Sequence, residues 1–255
     1  MAKNEPLRFV EKRTSNQKDV VYRQALEAYF SKSSGSNIEK LFNFCKYVPR
    51  QELTRFISRY EIFKMVLNVQ GSVIECGVLF GGSLMTWAQL SAILEPVNHQ
   101  RKIIGFDTFK GFSSLSKEDK KGRSEFLKKG KLAVDSYNDL KKSIELYDMN
   151  RNLGHIEKVI LVRGDINITV PKYIKGNPYL VVSLLYLDVD IFKPTRTALK
   201  YFLSRMPKGA VLVFDELNSD NWPGETEAVM QEVGLNKLRI RRFSFDTHLS
   251  YAIIE

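Results

Sequence analysis

The sequence has little cysteine and no long apolar run. Its 255 residues include two cysteines, Cys45 and Cys76, which supply no disulfide framework. Cys76 falls at the end of an apolar run and reads as a small core residue. No hydrophobic stretch reaches the ~18 residues that suggest a membrane span. The first residues, Met1-Ala2-Lys3-Asn4-Glu5-Pro6, carry no apolar signal segment. Internal repeats and low-complexity tracts are absent too. A globular protein of the reducing cytoplasm is the simplest expectation.

Positive charge is plentiful. The net charge is +10, and such a surface attracts anions: nucleic acid, acidic membrane, nucleotide or phosphorylated sugar. The densest cluster runs from Lys117 to Lys131 through Lys120, Lys121, Arg123, Lys128 and Lys129. It reads either as a solvated helix-and-loop face or as a lid over an anionic substrate. A hydrophobic content of 44% suits a real core in one large domain or two small ones.

Three segments are expected. Residues 1–36 are polar and end in the linker-like Ser31-Lys32-Ser33-Ser34-Gly35-Ser36. Residues 37–70 read as helices divided at Pro49, with Ile38, Leu41, Phe42, Phe56, Ile57 and Phe63 among the apolar positions at helical spacing. Residues 71–255 alternate strands and helices. Strands are expected at Val73–Gly77, Ile103–Asp107, Val159–Val162, Leu180–Asp188 and Ala210–Phe214. Helices are expected after Gly82, near Ser136–Tyr147, from Pro194 to about Ser204, and from Gly224 to about Val233. Two last strands, near Leu238–Phe243 and Leu249–Ile254, should pair antiparallel. The alternation implies an α/β fold with a mostly parallel sheet.

Four of the apolar runs end on acids: Glu75, Asp107, Asp188 and the pair Asp215-Glu216. A buried unpaired carboxylate is costly, and the carboxyl ends of parallel strands line one ligand crevice. With Asp190, the row suggests a site for a cationic or hydroxyl-rich ligand and a metal ion. Between the first strand and its helix stands Glu75-Cys76-Gly77-Val78-Leu79-Phe80-Gly81-Gly82-Ser83. Gly77 allows a tight turn, and Gly81-Gly82 allow close backbone approach before a helix N-terminus with free N–H groups. The spacing is not G-x-G-x-x-G, so the dinucleotide fingerprint is imperfect. Asp107 is placed to accept ribose hydroxyls; Asp165, with Ile166 beside it, suits an adenine edge. Either acid could instead cap a helix.

Four motifs in order carry a resemblance: Ile74-Glu75-Cys76-Gly77-Val78-Leu79-Phe80-Gly81-Gly82-Ser83; Gly105-Phe106-Asp107-Thr108-Phe109-Lys110-Gly111-Phe112; Leu187-Asp188-Val189-Asp190-Ile191-Phe192-Lys193-Pro194-Thr195; and Lys208-Gly209-Ala210-Val211-Leu212-Val213-Phe214-Asp215-Glu216. Over roughly residues 50–255 the chain resembles the macrocin O-methyltransferase (TylF-type) family of S-adenosylmethionine-dependent sugar O-methyltransferases. The resemblance implies a Rossmann-like class I methyltransferase sheet of seven strands with a C-terminal antiparallel hairpin and helices on both faces. It implies that Glu75, Gly77, Gly81, Gly82, Ser83, Asp107, Phe109, Asp165 and Ile166 surround S-adenosylmethionine.

In the strand order so implied, the strands ending at Asp188 and at Asp215-Glu216 are neighbours about 4.8 Å apart. Three carboxylates converging there make a hard oxygen site that favours Mg²⁺ or Mn²⁺ over zinc. The family's metal positions match Asp188, Asp215 and Glu216, although Glu216 is one methylene longer than the Asp or Asn of relatives. Asp190 is a candidate substrate contact or base. The resemblance suggests a histidine base in some members, ahead of the equivalent of Leu132-Ala133-Val134-Asp135. Lys128 and Lys129 stand there instead, with Asp135 a lesser candidate and His155 and His248 elsewhere. Trp222 reads equally as a sugar-stacking ring or a packed one. Tyr60 and Glu61 could reach the cofactor's carboxylate.

The expected activity is metal-dependent methyl transfer to a hydroxyl of a deoxysugar, nucleotide sugar, glycoside or polysaccharide. A nucleic-acid methyltransferase suits the charge, but no Asn/Asp-Pro-Pro-Tyr/Phe motif follows the fourth strand. A non-catalytic binding module is disfavoured by the intact acids, and a nicotinamide dehydrogenase by the glycine spacing. The N-terminal helices offer a surface for a homodimer.

Overall fold

Strands β1 (Ser72–Cys76), β4 (Val182–Leu187) and β5 (Val211–Phe214) are buried at every position. Central parallel strands are covered on both faces, so their sequences run apolar without alternation. The computed structural model describes residues 6–255; Met1 to Glu5, read above for a signal segment, lie outside the described residues. β2 (Ile103–Asp107) and β3 (Val159–Arg163) complete the parallel part, while β6 (Arg241–Arg242) and β7 (Ser250–Ile253) close the sheet. The order is β3-β2-β1-β4-β5-β7-β6. β7 lies antiparallel between β5 and β6, as the two C-terminal runs led one to expect, although β6 is shorter than its run. β4 and β5 are parallel neighbours, with Leu187 opposite Phe214.

Helices α3 (Arg50–Met65), α4 (Gly82–Leu94) and α5 (Tyr137–Met149) cover one face. Their Phe63, Trp87 and Tyr147 pack with Val73, Leu184, Tyr186 and Val213 from the strands. α6 (Ile166–Gly176), α7 (Phe192–Phe202) and α8 (Pro223–Glu232) cover the other, where Val170, Phe202 and Val229 meet Ile74, Phe106, Leu185 and Phe214. Alternate strand residues point to opposite faces. Glu75 shares its parity with Val73, Asp188 with Tyr186, and Asp215 with Val213. The acids therefore continue the strand positions that face α3 and α4.

α6 has no counterpart in the sequence reading. Pro171 lies inside it and breaks the expected pattern, since proline lacks the N–H that a helix interior uses. Asp165 caps it, accepting the Asn167 N–H at 2.9 Å.

The chain divides into two compact units, Met1–Thr54 and Arg55–Glu255, with the division inside α3 rather than at residues 36 and 70. In the first unit, α1 (Gln17–Lys32) buries none of its residues and is started by an Asn16–Asp19 capping box. A helix without a buried stripe leaves no apolar period, so in sequence this segment reads as a polar stretch. α2 (Asn37–Phe42) has its own capping box from Ser36 and Glu39. The Lys40 ammonium donates to the Phe30 carbonyl at 2.6 Å.

Between β2 and α5, residues 108–135 hold only a short 3-10 turn, Asp119–Lys121. The segment is nonetheless built. Phe112 packs with Ile191 and Trp222 in a small third core. The buried Asp119 carboxylate accepts the Ser116 and Phe192 N–H groups, each at 2.7 Å, so it serves the N-terminus of α7 from outside that helix.

Candidate active site

The carboxyl ends of β1, β2 and β4 open on a cleft with about 690 Å³ of empty space, the solvent at its open side included. Gly77, Asp107, Asp165, Ile166, Asp188 and Asp190 line it, so six of the expected site residues share one surface. Phe112, Ser113 and Leu132 of the 108–135 segment form part of its wall.

One side is the glycine loop. Gly77 has φ +91°, and a Cβ there would lie 1.7 Å from the Asp188 carbonyl oxygen. The loop is thus pressed against the end of β4, where the Asp188 N–H donates to the Cys76 carbonyl at 2.8 Å. Gly81, at φ +85°, precedes α4, and a Cβ there would come within 2.0 Å of Leu140. Asp107 holds the loop between them: one oxygen accepts the Val78 and Leu79 N–H groups at 2.7 and 2.9 Å, the other the Phe109 N–H at 2.7 Å. Those bonds support Leu79 and Phe109 at φ +51° and +55°, values unusual for side-chain-bearing residues.

Ser83, in the first turn of α4, donates to Glu75 at 2.6 Å. The other Glu75 oxygen is buried without a hydrogen bond, as is the Trp87 indole nitrogen. Burial pushes the Glu75 carboxyl up to about 8, against the opposing pull of Ser83 and Arg59. The unfolded chain releases this proton near 4.5, so between that pH and 8 the unfolded state binds fewer protons and wild-type stability falls as pH rises. Glu75→Gln removes that loss. Its melting temperature should gain on the wild type from pH 5 to pH 8, by the equivalent of a few kcal/mol; parallel melting curves would show that Glu75 is not the group responsible.

The structure also shows which expected contacts are made otherwise. Asp165 is an N-cap whose second oxygen accepts the Ser113 hydroxyl at 2.6 Å, bridging the cleft wall to α6. Phe109 is buried against Tyr137, with ring centroids 5.3 Å apart, and offers its backbone rather than its ring. Gly82 begins α4 with open space where a Cβ would stand. Trp222 is a packed ring, edge-on to Phe112 at 5.9 Å. Glu61 pairs with Lys64 on the outer side of α3. Asp135 is exposed, 3.9 Å from Arg163. In the lysine-rich stretch, Lys121 and Arg123 pair with Glu227 and Asp220, while Lys128, Lys129 and Lys131 are exposed.

The other side is acidic. The Tyr186 hydroxyl lies 2.9 Å from Asp215 Oδ1 and 3.2 Å from Asp188 Oδ2, so the two strand-end acids meet at one atom. Burial, reinforced by Asp215, Asp190 and Glu75, drives the Asp188 carboxyl well above the usual range. Asp190 sits in the next turn at φ +60°. Glu216 is held by its backbone, its N–H donating to Glu225 Oε1 at 3.0 Å. Among the described residues, no three His, Cys, Asp or Glu side chains are grouped to hold a metal ion. Asp188 and Asp215 are brought together, and Glu216 is not brought into a triad with them.

The macrocin-O-methyltransferase (TylF) profile matches residues 52–234, which include the whole of this site. The chain belongs to that family. It is therefore an O-methyltransferase. Among solved structures it is similar to CalS11, a calicheamicin methyltransferase, at 31% identity over 94% of this chain and 93% of that one, with a TM-score of 0.89. An apo structure of CalS11, described as a TDP-rhamnose 3'-O-methyltransferase, aligns at 29% identity over 94% and 95% with a TM-score of 0.81. The O-methyltransferase NovP shares the fold at 18% identity over 79% of each chain, TM-score 0.60. No protein of curated function matches in sequence.

Three residues of this O-methyltransferase's site escaped the sequence reading. Tyr186 is hidden inside an apolar run, and Arg59 comes from a helix that reads as a cover. Glu225, in the first turn of α8, reads as an ordinary helix-start acid. It is wholly buried, with one oxygen on the Glu216 N–H and the other unpartnered. Burial and the acids Asp215, Glu216 and Asp190 push its carboxyl well up. Glu225→Gln should preserve stability to within about 1 kcal/mol, whereas Glu225→Ala should cost about 1–3 kcal/mol by orphaning the Glu216 N–H. Equal urea midpoints for the two variants would contradict this role.

Proposed function

We propose that this O-methyltransferase moves a methyl group from S-adenosylmethionine to a hydroxyl of a nucleotide-linked deoxysugar, aided by Mg²⁺ or Mn²⁺. The observation that carries the reading is the meeting of Asp188 and Asp215 at the Tyr186 hydroxyl, beside a cleft whose other side is the glycine loop. The donor set fits a hard cation: carboxylate oxygens from two adjacent strand ends, where Asp215 raises the cost of charge on Asp188. Asp188 and Asp215 would hold it, the remaining positions being left to water and to oxygens of the acceptor.

When bound, the cofactor supplies an electrophilic methyl group and the cation lowers the pKa of the acceptor hydroxyl. The chain's own residues do the rest. Gly77 leaves room beside the Asp188 carbonyl, and Glu75, buried behind the loop, accepts the Ser83 hydroxyl and so holds the first turn of α4, where the cofactor's amino-acid end would lie. Asp107 keeps the loop open, and Ile166 offers an apolar edge where Asp165 ends the cleft. Asp190, which lines the cleft, would take the acceptor's proton. Phe112 and Leu132 exclude water from that side, which strengthens each electrostatic contact.

For the acceptor, CalS11 is described by a nucleotide-linked deoxysugar. The exposed Lys128, Lys129 and Lys131 stand on the segment whose Phe112 and Leu132 line the cleft, where a diphosphate would meet complementary charge. Calorimetry with S-adenosylhomocysteine, then steady-state turnover of a nucleotide-linked and a free deoxysugar, tests this reading. Cofactor binding and a much lower KM for the nucleotide-linked sugar are expected. Absence of binding at high protein concentration would remove the cofactor assignment, and equal KM values would remove the diphosphate contact.

A further inference from the structure

The Tyr186 hydroxyl has more partners than protons. Its ring is wholly buried on β4, with the Trp87 ring edge-on at 5.7 Å and the Arg59 guanidinium carbon 5.5 Å from its centroid. Arg59 Nη2 donates to the hydroxyl oxygen at 3.1 Å. The hydroxyl's single proton then has two claimants, Asp215 Oδ1 at 2.9 Å and Asp188 Oδ2 at 3.2 Å. A hydroxyl donates once, and the shorter contact takes the proton. Asp215 is buried, whereas Asp188 lines the cleft. The pair is thus unequal: Asp215 takes the hydroxyl's proton away from the cleft, and Asp188 stands on the cleft wall.

Arg59 adds direction. Its donation to the hydroxyl oxygen leaves the hydroxyl proton only the side occupied by the acids, and its buried charge lies behind both of them. The guanidinium reaches this point because α3 packs Ile62 and Phe63 into the core that Tyr186 shares.

We infer that Tyr186, oriented by Arg59, is the positioning residue that sets the spacing of Asp188 and Asp215 and through it the cation affinity of the site. The inference rests on the metal reading above. Partners behind metal ligands govern affinity because they fix ligand orientation, and losing one typically costs about 10–100-fold. Without the hydroxyl, the Asp215 carboxylate loses its hydrogen bond to β4, and the two carboxylates are free to turn apart.

The test titrates Mn²⁺ into wild type, Tyr186→Phe and Arg59→Lys, following free Mn²⁺ by electron paramagnetic resonance. The S-adenosylhomocysteine affinity of each is measured by calorimetry. Phenylalanine keeps the ring and its packing; lysine keeps the charge but loses the fork, and decides the matter if the first variant does not fold. The expected result is Mn²⁺ affinity about 10-fold or more weaker in both, with cofactor-product affinity within about threefold of wild type. Wild-type Mn²⁺ affinity in Tyr186→Phe overturns the positioning role and leaves the metal reading standing. Parallel loss of both affinities overturns it too, since a general collapse would then explain the result. A wild-type protein that does not bind Mn²⁺ overturns the metal reading itself, and the inference with it.

Discussion

Alanine at position 77 is expected to abolish cofactor binding and methyl transfer together. Gly77 lies at φ +91°, and its missing Cβ would stand 1.7 Å from the Asp188 carbonyl oxygen and 2.6 Å from the carbonyl carbon. Neither is the end of a flexible side chain. The backbone of β1's exit or of β4's exit must move, and both are tied: the Gly77 N–H donates to the Phe106 carbonyl at 2.9 Å and the Asp188 N–H to the Cys76 carbonyl at 2.8 Å. The left-handed conformation adds about 1–2 kcal/mol of its own. Since Asp188 belongs to the acid side of the cleft, one methyl group should damage both halves at once. Calorimetry with S-adenosylhomocysteine and a Mn²⁺ titration read the two halves separately. A Gly77→Ala protein that binds both ligands normally would show that the loop and the end of β4 are not mechanically joined.

The second large effect is at Asp188, where stability and activity should move in opposite directions. Its carboxyl is driven well up by burial and by Asp215, Asp190 and Glu75, so ionising it costs the fold free energy. Asparagine has nearly the same shape without the charge. Asp188→Asn should leave the melting temperature unchanged or raise it, while lowering kcat by about 100-fold or more, the scale of a lost electrostatic group at a reacting centre. The sign of the stability effect follows from linkage. A carboxyl whose folded pKa is raised loses stability as pH climbs above the unfolded value, so the advantage of asparagine should widen from pH 4 towards neutrality. Full turnover by Asp188→Asn would remove this residue from the chemistry. A large drop in melting temperature would mean that its charge is structural.

The two residues also mark how far the sequence alone reaches. Continuous apolar runs ending on Glu75, Asp107, Asp188 and Asp215 make four of the five parallel strands and their common edge legible, because strands covered on both faces admit few polar residues. The glycine loop was legible for a related reason: Gly77 and Gly81 stand where other residues would clash. Two helices were not. α1 has no buried face and hence no period, and α6 carries Pro171 in its interior. The role of Asp107 was half legible. Its place at the end of β2 suggested a ribose contact, but its three bonds to Val78, Leu79 and Phe109 N–H groups, which arrange the loop, depend on tertiary approach.

The polar residues behind the acids were the least legible. Tyr186 sits in Leu184-Leu185-Tyr186-Leu187, where an aromatic reads as core, and its ring is indeed core; only the hydroxyl reaches the site. Arg59 is 127 residues from Tyr186 in the chain. Glu225 follows Pro-Gly at a helix start, a position where an acid is ordinary. Trp222 shows the converse. Its polar neighbours made a sugar platform plausible, yet Phe112, brought in by the 108–135 segment, buries it.

In the proposed reading the row of acids divides into a cofactor side, Glu75 and Asp107, and a cation side, Asp188 and Asp215, with the acceptor hydroxyl between them. The most direct measurement is methyl transfer from labelled S-adenosylmethionine to a nucleotide-linked deoxysugar, run in excess chelator and again after Mg²⁺ is restored. Transfer is expected to be lost in chelator and to return with Mg²⁺, while S-adenosylhomocysteine still binds to the chelated protein. Undiminished transfer in chelator would contradict that reading.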